Sequence, residues 1–307
     1  MIGYALKRLL SGIPTLLAIV TIAFFMMRLA PGGPFTLERS LPAQIEKNLL
    51  AAYKLDQPLW RQYLDYVGGL LRGDFGPSFK YHDFTVAELI ASGAPASFTV
   101  GGAAILLAVL VGVTLGTMAA VRQNGMVDHL VMSVAMIGIA IPNYVMAPIL
   151  TLLFGIWLGW LPVGGWGGGA LRNLILPVVA LALPQVAYVA RLTRGSMIEA
   201  LHQNHVRTAR AKGLGERLVV VRHALRGGLL PVISYLGPAT AALVTGSVVI
   251  ETIFGIPGIG RYFIQGALNR DYTLVLGVVV FYAVLIMLLN LMVDLLYGML
   301  DPKVKQG

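Results

Sequence analysis

Residues 273–300 read TLVLGVVVFYAVLIMLLNLMVDLLYGML, and Asp294 is the one charged side chain among them. About 20 consecutive, mostly apolar residues make a helix long enough to cross the hydrocarbon core of a bilayer. A helix also satisfies its backbone hydrogen bonds internally, which lipid requires of a spanning segment. The stretch is therefore predicted to be a membrane-spanning helix.

Five further apolar runs precede this one in the chain. They are Leu9–Ala30, Phe98–Val121, His129–Trp160, Asn173–Ala190 and Leu230–Ile253. The first follows Lys7 and Arg8 as in a signal peptide, but Arg28 stands where cleavage needs a small residue, so we interpret it as an uncleaved anchor. The third contains Pro142 and Pro148 and is predicted to be kinked or tilted.

The composition agrees with a chain of many spans. Of 307 residues, 57% are hydrophobic and 12% are charged, and that charged share is about half of what a soluble domain carries. So few charges exclude a cytosolic enzyme, a nucleic-acid-binding protein and a secreted scaffold. The absence of cysteine excludes disulfides, thiolate catalysis and cysteine-based metal sites. We predict an all-α, polytopic membrane protein with six transmembrane helices.

Lysine and arginine gather on one side of these six runs. With the N-terminus inside, the cytoplasmic pieces hold 13 basic residues in 61 positions, against 9 in 97 for the outer pieces. Because cytoplasmic loops carry the excess of basic residues, both termini are predicted to be cytoplasmic. The inner pieces are 1–8, 122–128, 191–229 and 301–307, and the outer pieces are 31–96, 161–172 and 254–272.

These pieces divide the chain into an N-terminal transmembrane helix at 1–30, an outer helical loop at 31–96 and a five-helix membrane core at 97–307. Within the outer loop, apolar residues recur at helical spacing over 59–70 and 42–53. Thr85-Val-Ala-Glu88 is a capping-box pattern ahead of a short helix. The loop is either a cap that packs on the membrane surface or a docking face for an external partner.

The inner piece at 191–229 is too long for a turn and reads RLTRGSMIEALHQNHVRTARAKGLGERLVVVRHALRGGL. We predict a helix, a break at Gly213-Leu-Gly215, and a second helix to about Arg226. Gly227-Gly228 is predicted to be a hinge, and a new helix is expected near Pro231.

Two interpretations of this basic segment stay open on its residues alone. Ala209 and Gly213 share one helical face, with Val206 one turn before, and small residues permit close approach by another protein. Nearby cations could then pair with acidic groups on that protein; they are Arg207, Arg210 and Lys212. Alternatively, the segment contacts anionic lipid headgroups.

The sequence Val206–Leu214, VRTARAKGL, followed by HALR at 223–226 and Leu230-Pro231, resembles the cytoplasmic loop of bacterial ABC importer permeases. The resemblance implies a coupling helix over 205–216 that docks into a groove on an ATPase subunit. Arg207-Thr208-Ala209 stand where the commonest form has Glu-Ala-Ala, so the glutamate's role is not carried over. The implied coupling residues are Arg207, Thr208, Ala209, Arg210, Ala211, Lys212, Gly213 and Leu214.

Other motifs are similar to the B-type membrane subunit of oligopeptide importers. They are GDFGPSFK at 73–80, ETIFGIPGIG at 251–260, NRDY at 269–272, and VDLLY at 293–297 with Asp301-Pro302. The resemblance implies the type I ABC importer permease fold in the bacterial inner membrane, with a periplasmic outer loop. It also implies a second unlike permease, two cytoplasmic ATPases, a periplasmic peptide-binding protein and a peptide substrate. Importers of dipeptides, glutathione or nickel share most of these motifs and remain alternatives.

No phosphate-binding GxxxxGK[ST] sequence occurs, so ATP and magnesium are expected on partner subunits and no cofactor on this chain. His202 and His205 form HxxH, but neighbouring arginines oppose a cation, and no metal site is expected. No HExxH or GxSxG motif supports a membrane protease. An ion-gradient secondary transporter is the rival, although we find no repeat between the two halves of the chain.

Polar residues within the spans are few, which suits a conduit for varied substrates. The candidate pathway or gate residues are Asn143, Gln185, Tyr188, Glu251, Asn290 and Asp294. The two acids near span ends are functional candidates by default, but we favour structural pairing for both. Glu251 is expected to pair with Arg261 or Arg270, and Asp294 with Lys303 or a basic residue of the inner loop.

Overall fold

The computed structural model describes residues 2–30, 33–35, 42–246 and 248–300. Over those ranges the secondary structure is helical, and the one β-type pairing is an isolated bridge between Pro77 and Thr85. The all-α prediction is therefore confirmed. The chain's last residues, with Asp301-Pro302 and Lys303 of the sequence predictions, lie outside the described part.

Fourteen α-helices are numbered in chain order within the described residues. Their bounds are α1 Ile2–Leu29, α2 Ala43–Ala52, α3 Leu59–Leu70, α4 Val86–Val121, α5 Met126–Ala140, α6 Asn143–Leu150, α7 Leu171–Leu201, α8 Asn204–Ala211, α9 Glu216–Leu218, α10 Leu225–Gly228, α11 Leu230–Gly246, α12 Val248–Phe254, α13 Ile259–Leu268 and α14 Tyr272–Leu300. The segments Thr151–Trp157 and Val219–Ala224 are π-helical, and Gly167–Gly169 is a 3₁₀ turn.

Five helical stretches are long and apolar enough to cross a membrane, and each overlaps a predicted span. They are Leu6–Leu29, Val86–Val121, Leu171–Leu201, Leu230–Phe254 and Tyr272–Leu295. The remaining predicted span is a bent pair, Met126–Ala140 with Asn143–Trp157, whose two halves meet at 104°. The described residues thus contain five candidate spans, or up to six when the bent pair counts as one.

Pro142 explains the bend and confirms the predicted kink. A proline lacks the backbone N–H that would continue the helix, and it forces the preceding residue into extended conformation. Ile141 accordingly has φ −89° and ψ 117° and ends α5. Pro142 then stands immediately before the first residue of α6.

Two span boundaries differ from the predictions by more than ten residues. The α4 helix begins at Val86 instead of Phe98, because the predicted capping box forms directly at its start. The Thr85 N–H donates to Glu88 Oε2 at 2.8 Å, and the Glu88 N–H donates to Thr85 Oγ1 at 3.3 Å. The expected short helix is therefore the first turn of a long one. The α7 helix continues past Ala190 to Leu201, and the helix predicted up to Gly213 is interrupted at Gln203.

The chain forms two compact units, which we describe separately. One comprises residues 2–96 and 257–287, and the other comprises 97–256 with the chain end from 288. The predicted division at residues 30 and 96 stays a prediction.

In the unit of residues 2–96 and 257–287, Asp271 joins two of the quoted motifs. Its buried carboxylate accepts hydrogen bonds from the Ser78 hydroxyl at 2.5 Å and the Lys80 N–H at 3.1 Å. It also accepts the Leu274 N–H at 3.1 Å, which caps the first turn of α14. One carboxylate therefore fixes the GDFGPSFK segment and begins the last membrane helix.

The helix predicted at 59–70 is confirmed as α3, and its apolar face packs within this same unit. The Tyr63 ring lies 5.4 Å from Phe24 and 5.6 Å from Phe25, between ring centroids, and its hydroxyl is 2.7 Å from Thr21 Oγ1. Burial of Tyr66 raises the pKa of its phenol. The predicted helix at 42–53 is confirmed as α2.

In the other unit, α4 crosses α7 through a pair of glycines. A Cβ atom at Gly112 would stand 2.7 Å from Val189 Cβ, and one at Gly116 would stand 2.7 Å from Thr193 Cβ. Small residues four apart let two membrane helices approach closely enough for their backbones to touch. The α4–α7 crossing therefore depends on the missing side chains at both positions.

We expect Gly116→Ala to lower the stability of the folded protein by about 1–3 kcal/mol, the usual cost of overpacking. Gly102→Ala is the matched control, because Gly102 lies in the same helix and a Cβ there meets no atom within 4 Å. Thermal unfolding of both variants in mild detergent measures the difference. Equal melting temperatures would contradict the close crossing.

Candidate coupling helix and groove

Two residues separate the end of α7 from the start of α8, because Gln203 adopts an extended backbone with ψ 148° and turns the chain. Val206 and Ala209 are its buried side chains, with 0% and 4% exposure. They pack in one apolar cluster with Met197 of α7 and with Val219 of the following π-helical segment. The helix is thus held against this chain's own core along one face.

This packing corrects the interpretation of Val206 and Ala209 as a face open to another protein. Their small side chains allow close approach, but the approaching surface is the chain's own. The exposed side of the segment is formed instead by its polar and small residues, which are Arg207, Thr208, Arg210, Ala211, Lys212 and Gly213. Leu214 is partly buried and packs on the cluster.

Gly213 ends α8 by its backbone conformation. Its φ is +78°, a left-handed value that glycine adopts without the clash a Cβ atom brings. Its N–H donates to the Arg210 carbonyl at 2.9 Å, and the Leu214 N–H donates to the Ala209 carbonyl at 3.4 Å. These two bonds form a Schellman motif, which satisfies carbonyls at the helix end. The predicted break at 213–215 is confirmed.

Arg210 bridges this turn to the next helix. Its Nη2 and Nε atoms donate to the two carboxylate oxygens of Glu216, at 2.6 Å and 3.1 Å. The hydrogen bonds from the Arg210 guanidinium lower the pKa of the Glu216 carboxyl, and those to Glu216 raise the pKa of Arg210. Arg210 therefore has an acidic partner within this chain, whereas it was expected to pair with another protein.

From Glu216 the chain is helical without interruption to Gly228: α9 is followed by the π-helical stretch Val219–Ala224 and then by α10. Its end is fixed to α7 by the Ser196 hydroxyl, which donates to the Gly228 carbonyl at 2.6 Å. A Cβ atom at Gly228 would lie 2.5 Å from Met197 Sδ. The predicted hinge at Gly227-Gly228 is therefore wrong: both residues belong to α10, and Gly228 packs tightly on α7.

The two histidines of the HxxH sequence bond to backbone within this region. His202 Nδ1 lies 2.7 Å from the Ile198 carbonyl oxygen, and His205 Nε2 lies 3.1 Å from that of His223. Across the described residues, no three histidine, aspartate or glutamate side chains are grouped so that they could hold a metal ion.

Asp128 and Arg194 form an ion pair that sequence reasoning missed. Arg194 donates from Nε and Nη2 to the two carboxylate oxygens of Asp128, at 2.5 Å and 2.7 Å. The Asn124 N–H donates to the same carboxylate at 2.9 Å. Asp128 is 2% exposed and Arg194 28%, so the pair ties the first turn of α5 to the basic end of α7. Its members stand 66 positions apart, and no local pattern signals them.

A groove lies beside the basic end of α7, where α11 begins. Its volume is about 430 Å³, and its lining is Tyr188, Arg191, Leu192, Gly195, Ser196, Glu199, Pro231 and Tyr235. The Tyr235 hydroxyl donates to Gln185 Oε1 at 2.6 Å, and its ring lies 6.1 Å from the Tyr188 ring. The Arg191 guanidinium stands 5.4 Å above that same tyrosine ring. Of the predicted pathway residues, Tyr188 therefore lines the groove, and Gln185 is bonded to the lining residue Tyr235.

The other predicted pathway residues lie on separate helices. Asn143 is the first residue of α6, while Asn290 and Asp294 are partly buried on α14. Glu251 of α12 is fully buried, and it accepts a hydrogen bond from the Ser97 hydroxyl at 2.6 Å. A pathway role for any of these residues stays a prediction.

Residues 112–306 match the family of binding-protein-dependent transport system inner membrane components. This range includes α8, its glycine-ended turn and the groove. The chain belongs to this family. It is a multi-pass permease of the bacterial inner membrane.

Several permeases of the family are similar to the chain over its whole length. The oligopeptide transport system permease proteins OppB of Salmonella typhimurium and Escherichia coli K12 are each 54% identical over 305 residues, which cover 99% of this chain and 100% of theirs. The dipeptide transport system permease protein DppB of Bacillus subtilis is 44% identical, over 99% of this chain and 98% of its own.

Solved structures confirm the permease fold. An inward-facing form of the MetNI methionine ABC transporter matches with a TM-score of 0.57 at 16% identity, covering 69% of this chain and 96% of that one. An amino acid ABC transporter crystallised with histidines matches with a TM-score of 0.54 at 17% identity, covering 68% and 93%. The fold is therefore that of ABC importer permeases.

We expect Gly213→Ala to destabilise the end of α8 by roughly 1–2 kcal/mol, because alanine is strained at positive φ. Gly213→Asn should cost less, since asparagine tolerates the left-handed region. Gly215→Ala is the control: Gly215 has φ −60° and, like Gly213, open space around a Cβ. Hydrogen exchange of the Leu214 amide measures the effect. Faster exchange in the Gly215 variant than in the Gly213 variant would contradict the argument.

Proposed function

We propose that this chain is the membrane-spanning permease subunit of an ATP-driven oligopeptide importer, forming half of its translocation pathway. The observation that carries the proposal is the 54% identity to oligopeptide permeases along the full length of both proteins. Dipeptide permeases are less similar, at 44% and 40% identity. Oligopeptides are therefore favoured over dipeptides as the substrate class.

In this proposal the chain works with three kinds of partner. A second, unlike permease completes the pathway, two cytoplasmic ABC ATPases bind ATP and magnesium, and a periplasmic binding protein delivers the peptide. This chain then needs no nucleotide site of its own. Its two contributions are the pathway wall and the contact that links ATPase movement to that wall.

The geometry of α8 supports the linking role. A coupling contact has to transmit force, so its helix must be fixed to its own subunit while presenting a free side to the other. Val206 and Ala209 fix α8 to the end of α7, and the ion pair between Arg210 and Glu216 closes the following turn. The exposed side carries Arg207 and Lys212, whose charges suit an acidic groove.

Alternating access follows from this linkage. Closure of the ATPases on ATP moves α8, and α7 moves with it because the two share one apolar cluster. The change of state needs a difference in contact free energy between the two conformations. That difference comes from the ATPases, which close on ATP and reopen after hydrolysis.

The test is peptide uptake by the complex reconstituted in liposomes with its binding protein and ATP. Reversing both exposed charges, Arg207→Glu with Lys212→Glu, should weaken ATPase docking and lower uptake about tenfold or more, since 1.4 kcal/mol is a factor of ten. Arg72→Glu, an exposed cation of the outer loop, is the control. Uptake that persists without ATP under an ion gradient would overturn the proposal in favour of a secondary transporter.

A further inference from the structure

Gly195 lies in the middle of the groove and is an unusual residue for its position. It is inside the helix α7, where glycine is less favourable than alanine because of its greater backbone freedom in the unfolded chain. Its φ is not left-handed, and a Cβ atom there would meet no atom within 4 Å. Neither backbone geometry nor packing within the chain therefore requires a glycine at this point.

Gly195 differs from two other helical glycines of the same unit, while Gly102 shares its open surroundings. Gly112 and Gly116 lie against a neighbouring helix that a side chain would strike, whereas Gly195 faces the open groove of about 430 Å³. A Cβ at Gly195 would reduce the space of the groove and nothing else. The missing side chain thus keeps open a cavity whose volume is in the range of small-molecule sites.

The groove carries side chains of opposite charge at two points along α7. Arg191 and Glu199 both line it, one turn before and one turn after Gly195. Eight residues of α-helix separate their backbones by about 12 Å. An extended peptide advances about 3.3–3.6 Å per residue, so 12 Å corresponds to three or four residues. A short zwitterionic peptide carries charges of opposite sign at this spacing.

The walls suit a peptide main chain of any sequence. Tyr188 and Tyr235 offer aromatic faces, and Tyr235 keeps its hydroxyl bonded to Gln185 rather than directed at one particular side chain. Aromatic faces bind by area and shape and demand no defined hydrogen-bond pattern from the ligand. Recognition is then left to the two charges at the ends.

We propose that this groove is a transit site for the substrate peptide, in which Arg191 receives the carboxylate terminus, Glu199 receives the ammonium terminus, and Gly195 leaves room for the main chain. The proposal rests on the proposed function and extends it by naming the residues that contact substrate. On the predicted orientation, the site lies at the cytoplasmic end of the fourth predicted span.

The absence of cysteine from the chain makes a trapping experiment direct. Gly195→Cys is introduced into the full complex, and the binding protein delivers a tripeptide whose central cysteine is activated as a pyridyl disulfide. The introduced thiolate attacks the peptide's sulfur, a mixed disulfide forms, and pyridine-2-thiol leaves. We expect the mixed disulfide to form only when ATP and the binding protein are both present. Leu192→Cys provides a second trap on the same lining.

Controls separate transit from accidental reaction. Gly68→Cys lies in α3, at another helical glycine with open space, and any modification of it should not depend on ATP. Adding Arg191→Gln or Glu199→Gln to the trap should slow trapping about fivefold or more, because each removes one terminal charge contact.

The outcomes are distinct. Groove thiols that stay unmodified while the unsubstituted complex imports the tripeptide would overturn this site and leave the proposed function standing. Groove thiols covered by the second permease, shown by loss of assembly in both trap variants, would also overturn it. Failure of the unsubstituted complex to import any tripeptide would overturn the proposed function itself.

Discussion

The proposed coupling function depends on the burial of Val206 and Ala209 against the end of α7. Burial of apolar side chains is the non-directional force that holds this short helix in place, since eight residues are too few to be helical alone in water. Because that face is used within the chain, only the polar side of α8 is left for another protein. In the proposed function, the same packing makes α7 move with α8, so that force applied at the exposed side reaches the membrane.

Two further constraints keep α7 in a defined place. The glycines of α4 let the two helices touch near Val189 and Thr193, and the ion pair of Arg194 with Asp128 ties the basic end of α7 to the first turn of α5. A buried pair of this kind is weak support for stability but fixes one arrangement over others. These contacts fix the position of α7, and the groove lies between α7 and the start of α11.

Sequence reasoning succeeded where the signal was local. Apolar runs predicted the spans, Pro142 the bend, Thr85 and Glu88 the start of α4, and the glycine pair at 213–215 the end of α8. It failed at two points of the same segment: the fourth span was ended at Ala190, although a polar sequence of good helix formers continues a helix as well as an apolar one, and the break at Gln203 was not predicted. Asp271 and Ser78 are hydrogen-bonded although they are 193 positions apart in the chain. The sequence motifs that contain these two residues were identified, but nothing in the sequence showed that the motifs are in contact.

The central claim is that the exposed side of α8, and not its buried side, is the surface that ATPases cover. Single cysteines at Thr208→Cys and Ala209→Cys test it most directly, because the chain has no other cysteine to react. Maleimide labelling is compared in membranes with and without the ATPase subunits. The account predicts fast labelling of the Thr208 variant that assembly slows strongly, and slow labelling of the Ala209 variant in both cases. Equal labelling of the Thr208 variant with and without ATPases would contradict it.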